Sequence, residues 1–210
     1  MQNIILALPK GRILKDLQAV FSKINLNIED EFYNDNTRQL IFKTNIKNLQ
    51  IIKVRSFDVA TFVKFGVADI GICGLDVIEE FASPEIYNLL DLGIGSCRLS
   101  LAADKNQKLD LDKISHIRIA TKYTNITSKF FAQKSIQAET IKLSGAIEIA
   151  PKIGLSDFIV DLVDSGKTLQ ANNMIEIAKI IEVTSFLIAN KTSFMTKNNE
   201  INQIINYFIK

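Results

Sequence analysis

Apolar residues recur along this chain in two alternating patterns. Residues 4–8 form an unbroken apolar run, the mark of a strand buried on both faces. Ile13, Leu14, Leu17, Val20, Phe21 and Ile24 follow at helical spacing, so the chain opens as strand, turn and helix, with Pro9-Lys10-Gly11-Arg12 as the turn. Residues 38–44 and 49–54 read as two strands joined around 45–48, and 57–65 as a helix. Residues 69–73 read as a further buried strand, ending between Gly71 and Gly74, and 75–81 as a helix. Residues 89–103 read as long strand material, interrupted by Gly93 and Gly95, that crosses between two lobes. Beyond it come a strand at 117–121, a helix at 125–135 and a strand at 138–143. A short helix at 145–153, broken around Pro151 and Gly154, precedes a strand at 158–163. Residues 175–189, apolar and β-branched, suggest strands that return to the first lobe. Ile201, Ile204, Ile205 and Phe208 mark a last helix.

Strands alternating with helices predict an α/β protein with mostly parallel sheets. The lobes are expected at 1–90 plus 179–210 and at 91–178. Ligands in such folds bind at the carboxyl ends of strands, which points to the loops 9–12, 71–76 and 164–168. The 210 residues and 47% apolar content suffice for one large or two small domains and exclude disorder as the main state. The 25 basic and 23 acidic residues nearly cancel, so no basic face for nucleic acid is expected. Cys73 and Cys97 lack CxxC spacing, so they read as buried free thiols rather than metal ligands. The N-terminal apolar run is too short for a signal peptide or a membrane span, and a cytoplasmic protein is expected. His116, the only histidine, reads as a surface residue, and Glu79-Glu80 as a solvated pair.

The richest segment is Asp157-Phe158-Ile159-Val160-Asp161-Leu162-Val163-Asp164-Ser165-Gly166-Lys167-Thr168-Leu169. An apolar strand runs into a turn with a glycine, two hydroxyls and a lysine, and then into a helical start. Backbone N–H groups at such a start make an anion cradle. A P-loop is excluded, because it needs a glycine where this chain has Asp161. Carboxylates just ahead of a phosphate-accepting turn suit a sugar phosphate: Asp161 or Asp164 on the hydroxyls, residues 165–168 on the phosphate. The alternative is a plain strand-to-helix turn capped by Asp or Ser. The arginines are Arg12, Arg38, Arg55, Arg98 and Arg118, and each is a fixed fork for phosphate or carboxylate. Lys10 and Arg12 also read as a solvated turn, Arg55 as a surface ion pair and Arg38 as solvated; taken with a phosphoribosyl turn they suggest a second anion site, suited to a diphosphate that leaves with growing negative charge.

These residues resemble a known family, the short-form catalytic subunits of ATP phosphoribosyltransferase. The resemblance is carried by Leu6 to Arg12, Val54 to Val59, Ala68 to Asp76, Cys97 to Ala102, Ile117 to Tyr123, Gly145 to Pro151 and Asp157 to Asn172, so it runs nearly end to end. It implies a two-lobed fold like the type II periplasmic binding proteins, with the active site in the cleft between lobes. It also implies the reaction: adenine N1 of ATP attacks C1 of phosphoribosyl pyrophosphate (PRPP), pyrophosphate leaves, and histidine biosynthesis begins. Mg²⁺ would ride on the diphosphate of PRPP, with no metal held by the protein itself. By matched position, Asp164, Ser165, Gly166, Lys167, Thr168 and Leu169 would hold the 5-phosphate and Asp161 the ribose, with Glu148 and Asp157 also at PRPP. Lys10, Gly11, Arg12, Arg38 and Arg55 would face ATP and the leaving diphosphate, with Arg12 and Arg38 catalytic. Gln170 and Asn173 depart from the family's usual Arg and Gly. Gln170 is expected to face outward, and Asn tolerates the positive φ that Gly would supply.

A non-catalytic small-molecule-binding protein of the same two-lobed fold remains the rival reading, since fold does not decide function. The length carries a further expectation. The chain leaves no residues for the histidine-binding regulatory domain of the family's long form. The resemblance therefore implies a separate regulatory subunit resembling histidyl-tRNA synthetase, with several catalytic subunits in one hetero-oligomer, and neither membrane nor nucleic-acid partners.

Overall fold

The opening apolar run becomes strand β1 (Ile4–Pro9), every residue of it buried except a half-buried Ile5. The computed structural model describes residues 2–34, 36–107 and 115–209. The chain divides into two compact units, Met1–Gly95 with Thr184–Lys210, and Ser96–Val183. After β1 the first unit contributes α1 (Arg12–Lys23), a 3-10 helix (Asp30–Tyr33), β2 (Ile41–Lys43), β3 (Leu49–Val54), α2 (Ser56–Lys64), β4 (Ile70–Gly74), α3 (Leu75–Phe81) and β5 (Ile86–Asp91). The second unit holds β6 (Cys97–Asp104), β7 (His116–Thr121), α4 (Thr124–Ala132), β8 (Gln137–Lys142), a 3-10 helix (Ile147–Ile149), β9 (Phe158–Val163), α5 (Lys167–Ala171) and β10 (Met174–Val183). The first unit resumes with β11 (Ser185–Asn190), α6 (Lys191–Thr196) and α7 (Asn198–Ile209).

Among the described residues the first unit builds a six-stranded sheet, ordered β2-β3-β1-β4-β11-β5. Period-two alternation decides which face each side chain covers. Ile4, Leu6 and Leu8 of β1 join Leu14, Leu17 and Phe21 of α1 and Ile201 and Ile204 of α7 in one core. Ala7 points the other way, to Val59, Ala60 and Val63 of α2 and Val77 of α3. Asp69 ties the C-terminal segment to this sheet. One of its oxygens accepts the Ile5 N–H at 2.9 Å, and the other accepts Lys197 Nζ at 2.8 Å.

The second unit is a five-stranded sheet, ordered β10-β6-β9-β7-β8. Its β7 and β8 pair in parallel across the connecting α4, and β7 also pairs in parallel with β9. Ile159 and Val163 of β9 pack with Ile147, Ala150, Leu169 and Met174 over one face.

The expectation of mostly parallel sheets is corrected here: both sheets are mixed. Parallel pairing is found at β3-β1-β4 and at β9-β7-β8. Parallel neighbours need a long crossover, usually helical, whereas β2 and β3 are joined by a short turn and pair antiparallel. Strands β11 and β5, β10 and β6 are likewise antiparallel to their neighbours. The strand material read at 89–103 is two strands in different sheets, β5 and β6, separated around the positive-φ Gly93 and Gly95. That read at 175–189 is also two, β10 in the second unit and β11 in the first. Residues 38–40 lie outside β2, and only Ile147–Ile149 of the helix read at 145–153 is helical. Glu79 is exposed as expected, whereas Glu80 is buried.

Gly71 sets the spacing between β4 and α2. A Cβ there would lie 2.7 Å from Val59 Cγ1 and 2.8 Å from Val63 Cγ2. Gly71→Ala should therefore overpack this face and lower stability by about 1–3 kcal/mol, measured as a shifted midpoint in chemical denaturation.

Candidate active site

Strand β9 carries the candidate site because of its register. Ile159, Asp161 and Val163 pair with Ala102, Ser100 and Arg98 of β6, so all six side chains share one face. After Val163 the chain must turn from strand into α5. Gly166 makes that turn possible, since it takes φ +76°, a left-handed conformation that costs other residues about 1–2 kcal/mol. No atom lies within 4 Å of where its Cβ would stand, so the demand is torsional rather than steric. The N–H groups beyond it open α5, where an intrahelical acceptor is lacking by construction. Beside them lies a cavity of about 200 Å³.

This cavity gathers most of the residues expected at PRPP. Asp161, Asp164, Ser165, Gly166, Lys167, Thr168 and Leu169 line it together with Glu148, which the 3-10 helix after Ala146 (φ +51°) delivers to it. The Asp161 carboxylate accepts the Leu162 N–H at 2.8 Å. Asn173 does take a positive φ, +58°, and Gln170 is exposed.

Asp157 stands apart from this group. It precedes β9 at the strand's opposite end, about 13 Å from Asp161 at the usual rise per residue. There it closes on Arg118. Oδ1 accepts Arg118 Nη2 at 3.0 Å, and Oδ2 accepts the Arg118 backbone N–H at 2.9 Å. Burial alone would raise the Asp157 carboxyl, but the Arg118 hydrogen bonds and charge hold it below its ordinary value. Its proximity in the motif does not carry it into the cavity, because three residues of extended chain separate it from Asp161.

Arg98, Ser100 and Glu176 surround the same turn and were not among the expected site residues. Arg98 donates from Nε and Nη2 to the two Glu176 carboxylate oxygens at 2.7 and 2.6 Å. Its third nitrogen, Nη1, donates to the backbone oxygen of Asp164 at 3.1 Å. Ser100 Oγ donates to Glu176 Oε1 at 2.8 Å. The hydrogen bond from Arg98 holds the Glu176 carboxyl below the usual carboxylate range. The one sequence signal was Arg98 itself, an arginine in a chain whose cations are mostly lysine.

Lys10, Arg12 and Arg55 follow the carboxyl ends of the neighbouring strands β1 and β3. Pro9 pairs with Val54, and the Lys10 N–H donates to Val54 O at 2.8 Å, so the turn of Lys10 to Arg12 emerges beside Arg55. Lys10 and Gly11 line a second cavity of about 400 Å³, with Phe32, Tyr33 and Lys53 among its walls. Lys53 is buried there, with Nζ donating to Phe32 O at 2.7 Å and standing 5.0 Å from the Phe32 ring centroid. Arg12, Arg38 and Arg55 do not line this cavity. Arg12 Nη2 donates to Gly95 O at 3.3 Å, and Arg38 and Arg55 are exposed. Cys73 is fully buried, which with nearby Asp76 raises its thiol far above the working range. Among the described residues no group of three His, Cys, Asp or Glu converges as a metal site.

Two mixed α/β units, the second with a cavity beside the turn after β9, define a protein of the type II periplasmic-binding-protein fold. The alkanesulfonate-binding protein SsuA from Xanthomonas axonopodis pv. citri shows that fold at 11% identity and TM-score 0.58, over 99% of this chain and 72% of its own. The family model for HisG, ATP phosphoribosyltransferase, matches residues 55–209, and the chain belongs to that family. The ATP phosphoribosyltransferase of Rhodospirillum rubrum is 49% identical over 208 residues, covering 98% of this chain and 92% of that one. The ATP phosphoribosyl transferase (HisG:HisZ) complex from Thermotoga maritima matches at 30% identity and TM-score 0.82, over 98% of this chain and 96% of that one.

Asp157 and Arg118 lend themselves to a direct test of their structural role. A carboxyl lowered in the folded state adds stability above its unfolded value, and that stability is lost as pH falls through the lowered one. Asp157→Asn should cost about 1–2 kcal/mol at neutral pH. The cost should shrink as pH falls below the ordinary Asp value of 3.8. Chemical denaturation at neutral and acidic pH checks both.

Proposed function

We propose that this chain transfers the phosphoribosyl group of PRPP to N1 of ATP, releasing pyrophosphate, as the first step of histidine biosynthesis. The observation that carries the reading is the cavity of the second unit, where Glu148, Asp161 and Asp164 share the lining with the turn at Ser165 to Thr168. The 5-phosphate sits on the N–H groups and hydroxyls of residues 164–169, and Asp161 accepts hydrogen bonds from the ribose hydroxyls. Glu148 faces the same sugar. Asp157 has no part in this site and belongs to the Arg118 pair. Family membership favours the enzyme over the rival binding protein.

The chemistry then needs little more than placement and charge. The N1 lone pair forms a bond to C1 as the bond from C1 to the diphosphate oxygen breaks, and that electron pair departs with pyrophosphate. Attack comes from the face opposite the leaving group, so C1 inverts. Mg²⁺ would enter with the substrate, carried by its diphosphate. Lys10, Gly11, Arg12, Arg38 and Arg55 serve ATP and the leaving diphosphate, with Arg12 and Arg38 stabilising the negative charge that grows on the leaving oxygen.

The chain works as a short-form catalytic subunit with a regulatory subunit resembling histidyl-tRNA synthetase, several catalytic copies sharing one hetero-oligomer. What supports this is the Thermotoga maritima relative, a HisG:HisZ complex whose chain this one covers to 96%. None of the described helices is long and apolar enough to cross a membrane. The reading places the reaction in the cytoplasm.

Incubation with ATP, PRPP, Mg²⁺ and that subunit should yield phosphoribosyl-ATP by mass spectrometry, and absence of product would reject the activity. Arg12→Ala should lower kcat about a hundredfold while moving the KM for ATP little, as expected of a group that acts mainly in the transition state. An unchanged kcat removes Arg12 from that role.

A further inference from the structure

A turn that accepts a phosphate must keep its N–H groups inward and its carbonyl oxygens outward. A single flipped peptide would aim a negative dipole at the anion. In this chain the first peptide of the turn is held by a side chain from another strand. Arg98 on β6 uses one fork nitrogen, Nη1, to hold the carbonyl oxygen of Asp164 at 3.1 Å. Its other two nitrogens, Nε and Nη2, donate to the Glu176 carboxylate of β10, at 2.7 and 2.6 Å. Ser100, fully buried and directly across from Asp161, holds Glu176 in turn at 2.8 Å. The fork is thus oriented by one strand and applied to another. The Asp164 carboxylate also carries a negative charge into a turn meant for an anion, and its field reaches the Arg98 guanidinium.

We propose that Arg98, oriented by Glu176, is a positioning residue for PRPP: it pins the Asp164 carbonyl away from the 5-phosphate and offsets the Asp164 charge. The inference rests on the reading that residues 164–169 hold that phosphate. Arg98 acts through protein groups: each of its three nitrogens donates to protein, two of them to Glu176 and one to the Asp164 carbonyl. Glu176 acts one step further back. Without it the guanidinium has several geometries to choose from, and only one reaches Asp164. The effect therefore falls on PRPP and spares ATP.

Steady-state kinetics with the regulatory subunit present, on Arg98→Gln, Glu176→Gln, the double variant and Thr168→Ala, test this. Arg98→Gln should raise the KM for PRPP about tenfold, the scale of one hydrogen bond to a charged group. The KM for ATP and kcat should stay within about twofold. Glu176→Gln should give a smaller change in the same direction. The double variant should be no worse than Arg98→Gln, because the pair acts as a unit. Arg98→Lys, which keeps the charge and loses the fork, should fall between wild type and Arg98→Gln. A purely structural role would instead lower the melting temperature and the active fraction, so that kcat falls with both KM values unmoved, and that pattern overturns the proposal. Thr168→Ala separates the positioning role from the phosphate site itself. If it raises the KM for PRPP and Arg98→Gln does not, the positioning role fails and the phosphate site stands. If neither does, the phosphate site fails and the positioning role fails with it.

Discussion

The second unit is organised around one reversal of backbone direction. Until Val163 the chain is extended, and its N–H and C=O groups alternate between the neighbouring strands. A few residues later, the N–H groups that open α5 lie beside a cavity. Gly166, at φ +76°, makes the change without strain, and the first turn of α5 fixes the direction of the N–H groups beyond it. The rest of the unit is built around this turn. Leu169 and Val163 bury it against Ile147 and Met174, β6 supplies Arg98 to its outer side, and the strand behind it presents Asp161.

The five arginines divide by task. Arg98 and Arg118, in the second unit, are each engaged by an internal carboxylate, Glu176 and Asp157. Arg38 and Arg55, in the first, are exposed, and Arg12 reaches the Gly95 carbonyl through a long hydrogen bond. This division suits a phosphoribosyl transfer. The 5-phosphate keeps its charge throughout the reaction, so fixed backbone dipoles can hold it equally in substrate and transition state. The diphosphate gains charge as the bond breaks, so on the proposed reading the exposed cations would act where the energy changes.

Elements were legible in the sequence wherever periodicity is local. Strand β9 and helix α3 sit where their apolar patterns put them, because six or seven residues suffice to distinguish those periods. Strand direction was not legible, because alternation tells which face a residue covers and not which neighbour it pairs with. The turn after β9 could be read because glycine, hydroxyls and a lysine are adjacent in the chain. The Arg98 clamp could not, because its partners lie 66 and 78 residues away and meet only through the sheet. Asp157 shows the converse error: a residue four places from Asp161 in the motif sits at the far end of the same strand, held by Arg118. Lys53 and Phe32, which wall the first unit's cavity, lay hidden for the same reason as Arg98.

Whether the turn after β9 holds the 5-phosphate through its backbone is tested most directly by a crystal structure with PRPP and Mg²⁺. The expected result has the 5-phosphate oxygens within about 2.7–3.2 Å of N–H groups of residues 165–168, with Asp161 on the ribose hydroxyls. A 5-phosphate held by the Lys10 and Arg12 turn, with the residue 165–168 turn empty, would contradict it.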